Sequence, residues 1–327
     1  MDTARFAEDL NTVPDYLEEL APMLERGYPG LAQLPKANRL LVLAMGSSAY
    51  AAATVARQAR ADGLNVQVEL ASTALLPAPA PDLLVIAVSA TGSSVEVLAA
   101  AQRYQGAGRL VAVTNNADSR LAAMADFVLP LNVGEEVSGI SCRNFRHSVL
   151  VMAALLESFG ASFGELGETA RLAAAGNREL LASAGDWLPQ ASDVLLGPDG
   201  VFLLAPAERR SSAEQGSLML REVPRRPAFG SETGDWSHVD VYLSKTLDYR
   251  ALMFAGSAWD QQALDWMAPR GAAIVAVGGS FPEAKMSVKY QGQEHWLTAV
   301  LVETMVPELL AWDWYSKDPR HSWSSRV

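Results

Sequence analysis

Continuous apolar runs alternate with segments of helical period from about residue 39 onward. In the first half the runs are Leu40–Ala44, Leu83–Val88, Leu110–Val113 and Phe127–Leu131; in the second they are Val201–Leu204, Arg250–Phe254 and Ala273–Val277. Runs of this length without polar alternation read as strands buried on both faces of a parallel sheet. Asn65–Leu70 alternates and reads as a further strand, and Met286–Tyr290 as an edge strand. The intervening helices are predicted over Ala49–Ala61, Val95–Tyr104 (with Val95, Leu98 and Ala99 as its apolar stripe), Ser119–Ala125, Asn144–Phe159, Glu165–Pro189, Ser212–Glu222, Asp260–Met267 and Glu294–Tyr315. Residues 1–36 read as helical, broken at Pro14 and ended by Gly27, Gly30 and Pro35. The alternation predicts an α/β fold with parallel sheets. Because the order of elements runs twice, two doubly wound units in tandem are expected: residues 1–165, with the N-terminal helices, and residues 166–327, with a C-terminal tail.

Two turns carry the candidate chemistry. In Leu83–Glu96, LLVIAVSATGSSVE, a buried-strand pattern changes at Ser89 to a hydroxyl-rich turn with one glycine, and then to a helix. Such a turn aims backbone N–H groups and the positive end of a helix dipole at one point, which suits a phosphate or carboxylate. Ser89, Thr91 and Ser94 add hydroxyl donors. The alternative is that Ser93 or Ser94 simply caps the helix. Arg39–Tyr50, RLLVLAMGSSAY, repeats the arrangement with Gly46, Ser47 and Ser48. Turns after different strands of one parallel sheet open on the same edge, where ligands bind.

Composition narrows the classes. The chain has 327 residues, half of them hydrophobic, with a net charge of −11. No Lys/Arg run marks a nucleic-acid or membrane surface, and no apolar stretch is long enough to span a bilayer. The single cysteine, Cys142, excludes an internal disulfide framework, and the acidic N-terminus lacks the pattern of a signal peptide. A cytoplasmic setting is the expectation. Neither turn has Gly-x-Gly-x-x-Gly, which disfavours a dinucleotide enzyme. The four histidines, His147, His238, His295 and His321, show no metal-ligand spacing, so neither metal nor cofactor is expected. His147, among apolar residues, reads as a packed core or interface histidine.

In the second half, Gln215, Met219 and Glu222 fall on one helix face at steps of four and three. Glu222 stands at the helix C-terminus just before Pro224, where a carboxylate opposes the dipole and its pKa is pushed upward. That suits a general base. A solvated glutamate beside Arg221 and Arg225 is the alternative on pattern alone.

Four features resemble the SIS (sugar isomerase) domain family, and most of all the tandem-SIS isomerase half of glucosamine-6-phosphate synthase and the small phosphoglucose/phosphomannose isomerases. They are Met45-Gly46-Ser47-Ser48; Ser89-Ala90-Thr91-Gly92-Ser93-Ser94; Val113-Thr114-Asn115 with Ser119-Arg120-Leu121-Ala122 and Ala125-Asp126; and Glu135-Glu136-Val137 with Ser141. In the second half the resemblance rests on Glu222, on His238 sixteen residues later, and on Pro319-Arg320-His321. It implies two SIS domains in tandem and an aldose–ketose phosphosugar isomerase. Ser47, Ser48, Ser89, Thr91 and Ser94 would hold the phosphate of a sugar-phosphate substrate. His238 would assist ring opening, Glu222 would carry a proton through an enediol, and Arg326 of the aromatic tail would reach the ligand. The resemblance also implies a homodimer, with Glu222 from one chain and His238 from the other; the Pro- and Gly-rich segment Pro224–Ser237 need not fold back on its own helix. The chain departs from glucosamine-6-phosphate synthase in having Met219 three residues before the base glutamate, where that enzyme has lysine. It also has Ser324 or Arg326 in place of the Schiff-base lysine, and the glutamine amidotransferase domain is not among the features it shares, so glutamine-driven amination is not expected. The alternatives are a deaminase or deglycase of amino-sugar phosphates and a non-catalytic phosphosugar sensor, although no helix-turn-helix or basic segment is present.

Overall fold

The computed structural model describes residues 2–317. The chain forms two compact units. The first comprises Tyr16–Glu136 and Ser141–Arg171; the second comprises the chain up to Asp15, Val137–Ile140, and the chain from Leu172 onward.

The elements through the first sheet and the helix after it are α1 (Thr3–Glu25), β1 (Arg39–Ala44), α2 (Gly46–Ala61), β2 (Val66–Leu70), β3 (Leu83–Val88), α3 (Val95–Gln102), β4 (Leu110–Thr114), α4 (Arg120–Met124), β5 (Phe127–Pro130) and α5 (Arg143–Glu157). Then come α6 (Leu166–Ala182), α7 (Ala184–Leu195), β6 (Val201–Ala205), α8 (Arg210–Glu222), β7 (Ala228–Glu232), α9 (Thr233–Trp236), β8 (Arg250–Phe254), α10 (Asp260–Met267), β9 (Ala273–Val277), β10 (Met286–Val288), α11 (Trp296–Glu303) and α12 (Met305–Lys317).

Each unit holds one five-stranded sheet in which every pairing is parallel. The orders are β2-β1-β3-β4-β5 and β10-β9-β8-β6-β7. Read from its other edge, the second sheet has the same topology as the first. The predicted apolar runs are the central strands, buried along their length: β3, β4 and β6 have no exposed position. In the first unit alternate residues such as Leu41, Leu43, Val85, Ala87 and Ala112 pack with Val97, Leu98, Ala101 and Leu121 of α3 and α4. The intervening Leu40, Val42, Leu84, Ile86 and Val113 are buried as well. Both faces of the strands are therefore covered, which is why no polar alternation survives in them.

Four local expectations change. Pro14 does not break α1. A proline inside a helix costs about 3 kcal/mol, but α1 buries Phe6, Leu10, Val13, Leu17, Leu20 and Ala21 on one stripe. At about 1.5–3 kcal/mol for each large apolar side chain, that burial outweighs one missing hydrogen bond. On α3 the buried residues are Val97, Leu98, Ala100 and Ala101, and Val95 is exposed. The long C-terminal helix is two helices, α11 and α12, and Glu165–Pro189 is likewise α6 followed by α7, which carries Pro189 inside it. Finally, Pro224–Ser237 does fold back along its own helix. It forms β7, parallel to β6, with Val201 opposite Ala228 and Ala205 opposite Glu232. A Cβ at Gly230 would stand 2.6 Å from the Ala213 carbonyl oxygen of α8, so the absence of a side chain permits this close packing.

Candidate functional site

In a sheet of order 2-1-3-4-5 the winding reverses between the first and third strands, and the crevice at their carboxyl ends is the usual ligand position. The first sheet places there the two turns singled out by sequence. Gly46, Ser47 and Ser48 form the first turn of α2, ahead of the predicted helix start, and no side chain caps that helix. Its leading N–H groups lack intrahelical partners.

The second turn, Ser89–Ser94, is held from behind. The Ser89 N–H donates to Val113 O (3.0 Å), the Gly92 N–H to Ser89 O (3.0 Å) and the Asn115 N–H to Ala90 O (2.9 Å). The Thr114 hydroxyl donates to Ala90 O at 3.1 Å. Gly92 has φ +64, and a Cβ there would lie 2.1 Å from the Ser119 hydroxyl, so the turn closes on the cap of α4 only with glycine. Asn115 bonds the Val133 N–H (2.9 Å) and the Gly134 carbonyl (2.6 Å). The Thr-Asn and Ser-x-Leu-Ala segments thus brace the turn, which exposes Thr91 and Ser93.

Ser89 is buried, Ser94 is half-buried, and Thr91 and Ser93 are exposed. Neither Ser93 nor Ser94 caps α3 with its side chain. Ser94 occupies the cap position without a side-chain cap bond, and its hydroxyl donates to Glu96 at 3.1 Å. The Thr91 and Ser93 hydroxyls lie 2.7 Å apart. In the same unit the Glu136 carboxylate takes on capping of α5, accepting the Cys142 and Arg143 N–H groups at 2.7 and 2.6 Å. Burial pushes its pKa up to about 7. His147 is buried and bonded to Leu131 O at 2.8 Å, as a core histidine would be.

The second unit carries Glu222 and His238. Gln215 and Met219 are fully buried on the face of α8 that ends at Glu222. Glu222 itself is half-buried, and burial raises its pKa. The direction is the one read from the helix terminus; the physical cause is desolvation. His238 is exposed in the turn after α9, its N–H donating to Asp235 O at 2.9 Å. Two residues earlier, Trp236 is fully buried, and its indole N–H donates to the Tyr249 hydroxyl at 2.6 Å, anchoring the segment that presents the histidine. Arg326, with Pro319, Arg320, His321 and Ser324, lies outside the described residues.

Sequence reasoning missed the polar residues at the corresponding edge of the second sheet. Asp260 accepts the Gly256 and Ser257 N–H groups at 2.7 and 3.0 Å. Arg209 is buried and paired with Glu303. The only local signal was an acidic residue in the first turn of a predicted helix. Among the described residues no group of three or more His, Cys, Asp or Glu side chains could hold a metal ion, and no helix is long and apolar enough to cross a membrane.

Residues 33–158 match the model of the SIS domain. The chain is 29% identical over 246 residues to a glutamine–fructose-6-phosphate aminotransferase (isomerizing) of Caulobacter vibrioides, a match covering 71% of this chain and 40% of that relative. The chain thus spans about two fifths of the length of the curated relative it matches. Among solved structures it is similar to a glucosamine-6-phosphate deaminase from Thermotoga maritima (TM-score 0.70, 16% identity, 96% of this chain and 93% of that one). It is similar also to a tagatose-6-phosphate ketose/aldose isomerase from Escherichia coli (TM-score 0.68, 18% identity, 95% and 94%). At these identities the structures establish the fold alone. The segment that matches the SIS domain encloses the first sheet and both of its hydroxyl-bearing turns.

Proposed function

We propose that this protein is a phosphosugar isomerase that interconverts aldose and ketose phosphates through an enediol. The observation that carries the reading is the coincidence of the Gly46–Ser48 and Ser89–Ser94 turns with the switch point of the first sheet. Uncapped helix amides and hydroxyls there suit a dianionic phosphate, which an acidic protein must hold with local dipoles rather than net charge. In this reading Ser47, Ser48, Ser89, Thr91 and Ser94 bind the phosphate. His238, exposed on an anchored turn, assists ring opening. Glu222, raised by burial toward the working pH, moves the proton between the first two sugar carbons. Enediol chemistry of this kind needs a base and an acid but no metal. The second unit, with the same strand order as the first, is read as a second SIS domain.

A deaminase acting on an amino-sugar phosphate would use the same base, and the likeness to the Thermotoga enzyme favours it as the second reading. An NMR screen of 6-phosphosugars in deuterated water separates the two. Deuterium entering at the second carbon together with aldose–ketose conversion supports the isomerase, whereas ammonia release from an amino sugar supports the deaminase. No exchange and no turnover with any phosphosugar would remove both.

The catalytic residues are further proposed to come from two chains of a homodimer, Glu222 from one and His238 from the other. Mixed dimers of Glu222→Gln and His238→Ala test this. A shared arrangement leaves one intact site per mixed dimer and restores part of the activity, whereas verified mixed dimers that stay inactive exclude it.

A further inference from the structure

At the switch point of the second sheet, between β6 and β8, the carboxyl edge opens into a cavity of about 540 Å³. That is within the roughly 300–1,000 Å³ usual for small-molecule sites. The cavity is lined entirely by residues of the second unit. Part of its lining is bare backbone. A Cβ would meet the Ala255 Cβ at 2.5 Å if built on Gly279, the Tyr290 hydroxyl at 3.1 Å on Gly278, and the Arg209 guanidinium at 3.0 Å on Gly256. The missing side chains thus make room for the protein's own Ala255, Tyr290 and Arg209 around the cavity. Phe281 and Trp296, both half-buried, add aromatic surface.

The charge of this cavity is the reverse of what a phosphate needs. Among the described residues the lining arginine is Arg209, which is buried and donates to Glu303 and to the Ala255 carbonyl, so its charge is already compensated. The Gly256 and Ser257 amides, the counterpart of an anion-binding turn, are taken by the Asp260 carboxylate. Two exposed carboxylates, Glu208 and Glu294, line the opening. What remains is two carboxylates at the opening, the donor and acceptor groups of Ser280 and Gln293, and aromatic faces. That set matches a sugar ring, which donates through its hydroxyls and packs its C–H face on aromatic side chains.

We propose that this cavity is a second binding site, for a hydroxylated, sugar-like molecule without a phosphate, and that it rejects the phosphate ester of the same sugar. Saturation-transfer NMR on the full chain tests this with methyl α-glucoside, glucosamine and glucose 6-phosphate as probes. The two unphosphorylated sugars are expected to bind wild type and Thr91→Val equally, and to lose binding in Ser280→Trp, whose ring fills the mouth from an exposed position. Glucose 6-phosphate is expected to give no signal that survives Thr91→Val and disappears on adding Ser280→Trp. Absence of a signal from both unphosphorylated sugars overturns the proposal, as does a signal that persists in Ser280→Trp with wild-type circular dichroism. A second variant keeps the test decisive if Ser280→Trp misfolds. Reversing the two surface charges, Glu208→Lys with Glu294→Lys, is expected to admit glucose 6-phosphate to the cavity in the Thr91→Val background. No gain of binding in a folded charge-reversed protein overturns the electrostatic argument.

Discussion

The two sheets share one strand order and differ in what stands at their switch points. In the first unit the turns after β1 and β3 present serines, a threonine and the leading amides of α2 and α3, neither of which has a side-chain cap. In the second, the turn after β6 carries Glu208 and a neutralised Arg209, and the turn after β8 gives its amides to Asp260. An internal carboxylate occupies the position that an external anion would take. The scaffold therefore supplies the crevice, and the choice of capping residue decides what the crevice accepts. A carboxylate on two turn amides contributes to stability at all times; uncapped amides leave that stabilisation to a ligand.

The largest expected effect is at Glu222, the proposed base in the second unit. Glu222→Gln should lower turnover about 10²–10⁴-fold with phosphosugar affinity nearly unchanged, as single-turnover and calorimetric measurements would read. Near-normal turnover would place the base elsewhere. The pH profile adds a sign. A base acts when deprotonated, and burial raises Glu222 above the ordinary 4.5. Wild-type kcat/KM should therefore rise with pH through a value above 4.5, and that limb should be absent from the residual rate of the variant.

A smaller effect compares the two turns directly. Thr91→Val should weaken phosphosugar binding by roughly 1.5–3 kcal/mol, the range for a hydrogen bond to a charged group. Ser257→Ala, in the corresponding turn of the second unit, should leave it unchanged. Equal losses in calorimetry would erase the distinction between the units.

Next comes backbone strain. Gly92 and Gly46 both have positive φ, +64 and +50, but only at Gly92 would a Cβ collide, with Ser119 at 2.1 Å. Gly92→Ala should cost upward of about 1–3 kcal/mol of stability and disable the turn. Gly46→Ala should cost only about 1 kcal/mol. Thermal unfolding of the pair reads the difference, and similar losses would mean that the bracing by Ser119 does not matter.

The smallest effect would convert the second turn toward the first. Asp260→Ala releases the Gly256 and Ser257 amides and should cost about 0.5–2 kcal/mol, as loss of a capping side chain does. In the Thr91→Val background, inorganic phosphate should then raise the melting temperature of the Asp260→Ala protein more than that of its parent. An equal response in the two proteins would mean that the carboxylate does not exclude anions.

Period and composition alone were enough for the central strands, the helices between them and both hydroxyl-rich turns. Each depends on neighbours within a few residues: an apolar run long enough to be buried, then Gly and Ser where it ends. The hydroxyl residues Ser47, Ser48, Ser89, Thr91 and Ser94 stand out from the two turns themselves, whereas Glu222 and His238 are singled out only by the family resemblance. Tertiary structure decided the rest. β7 exists because Gly230 fits against Ala213, a contact that no local propensity encodes. α1 continues through Pro14 because its apolar stripe is buried along its length. Val137–Ile140 groups with the second unit although the residues on both sides of it belong to the first. Glu222 owes its raised pKa to desolvation, which depends on what packs around it and not on its place in the helix. The second switch point was closed to sequence reasoning for the same reason. Asp260 could be read as a helix-start acid, but its two amide partners and the Arg209–Glu303 pair come from folding, which joins residues 94 positions apart.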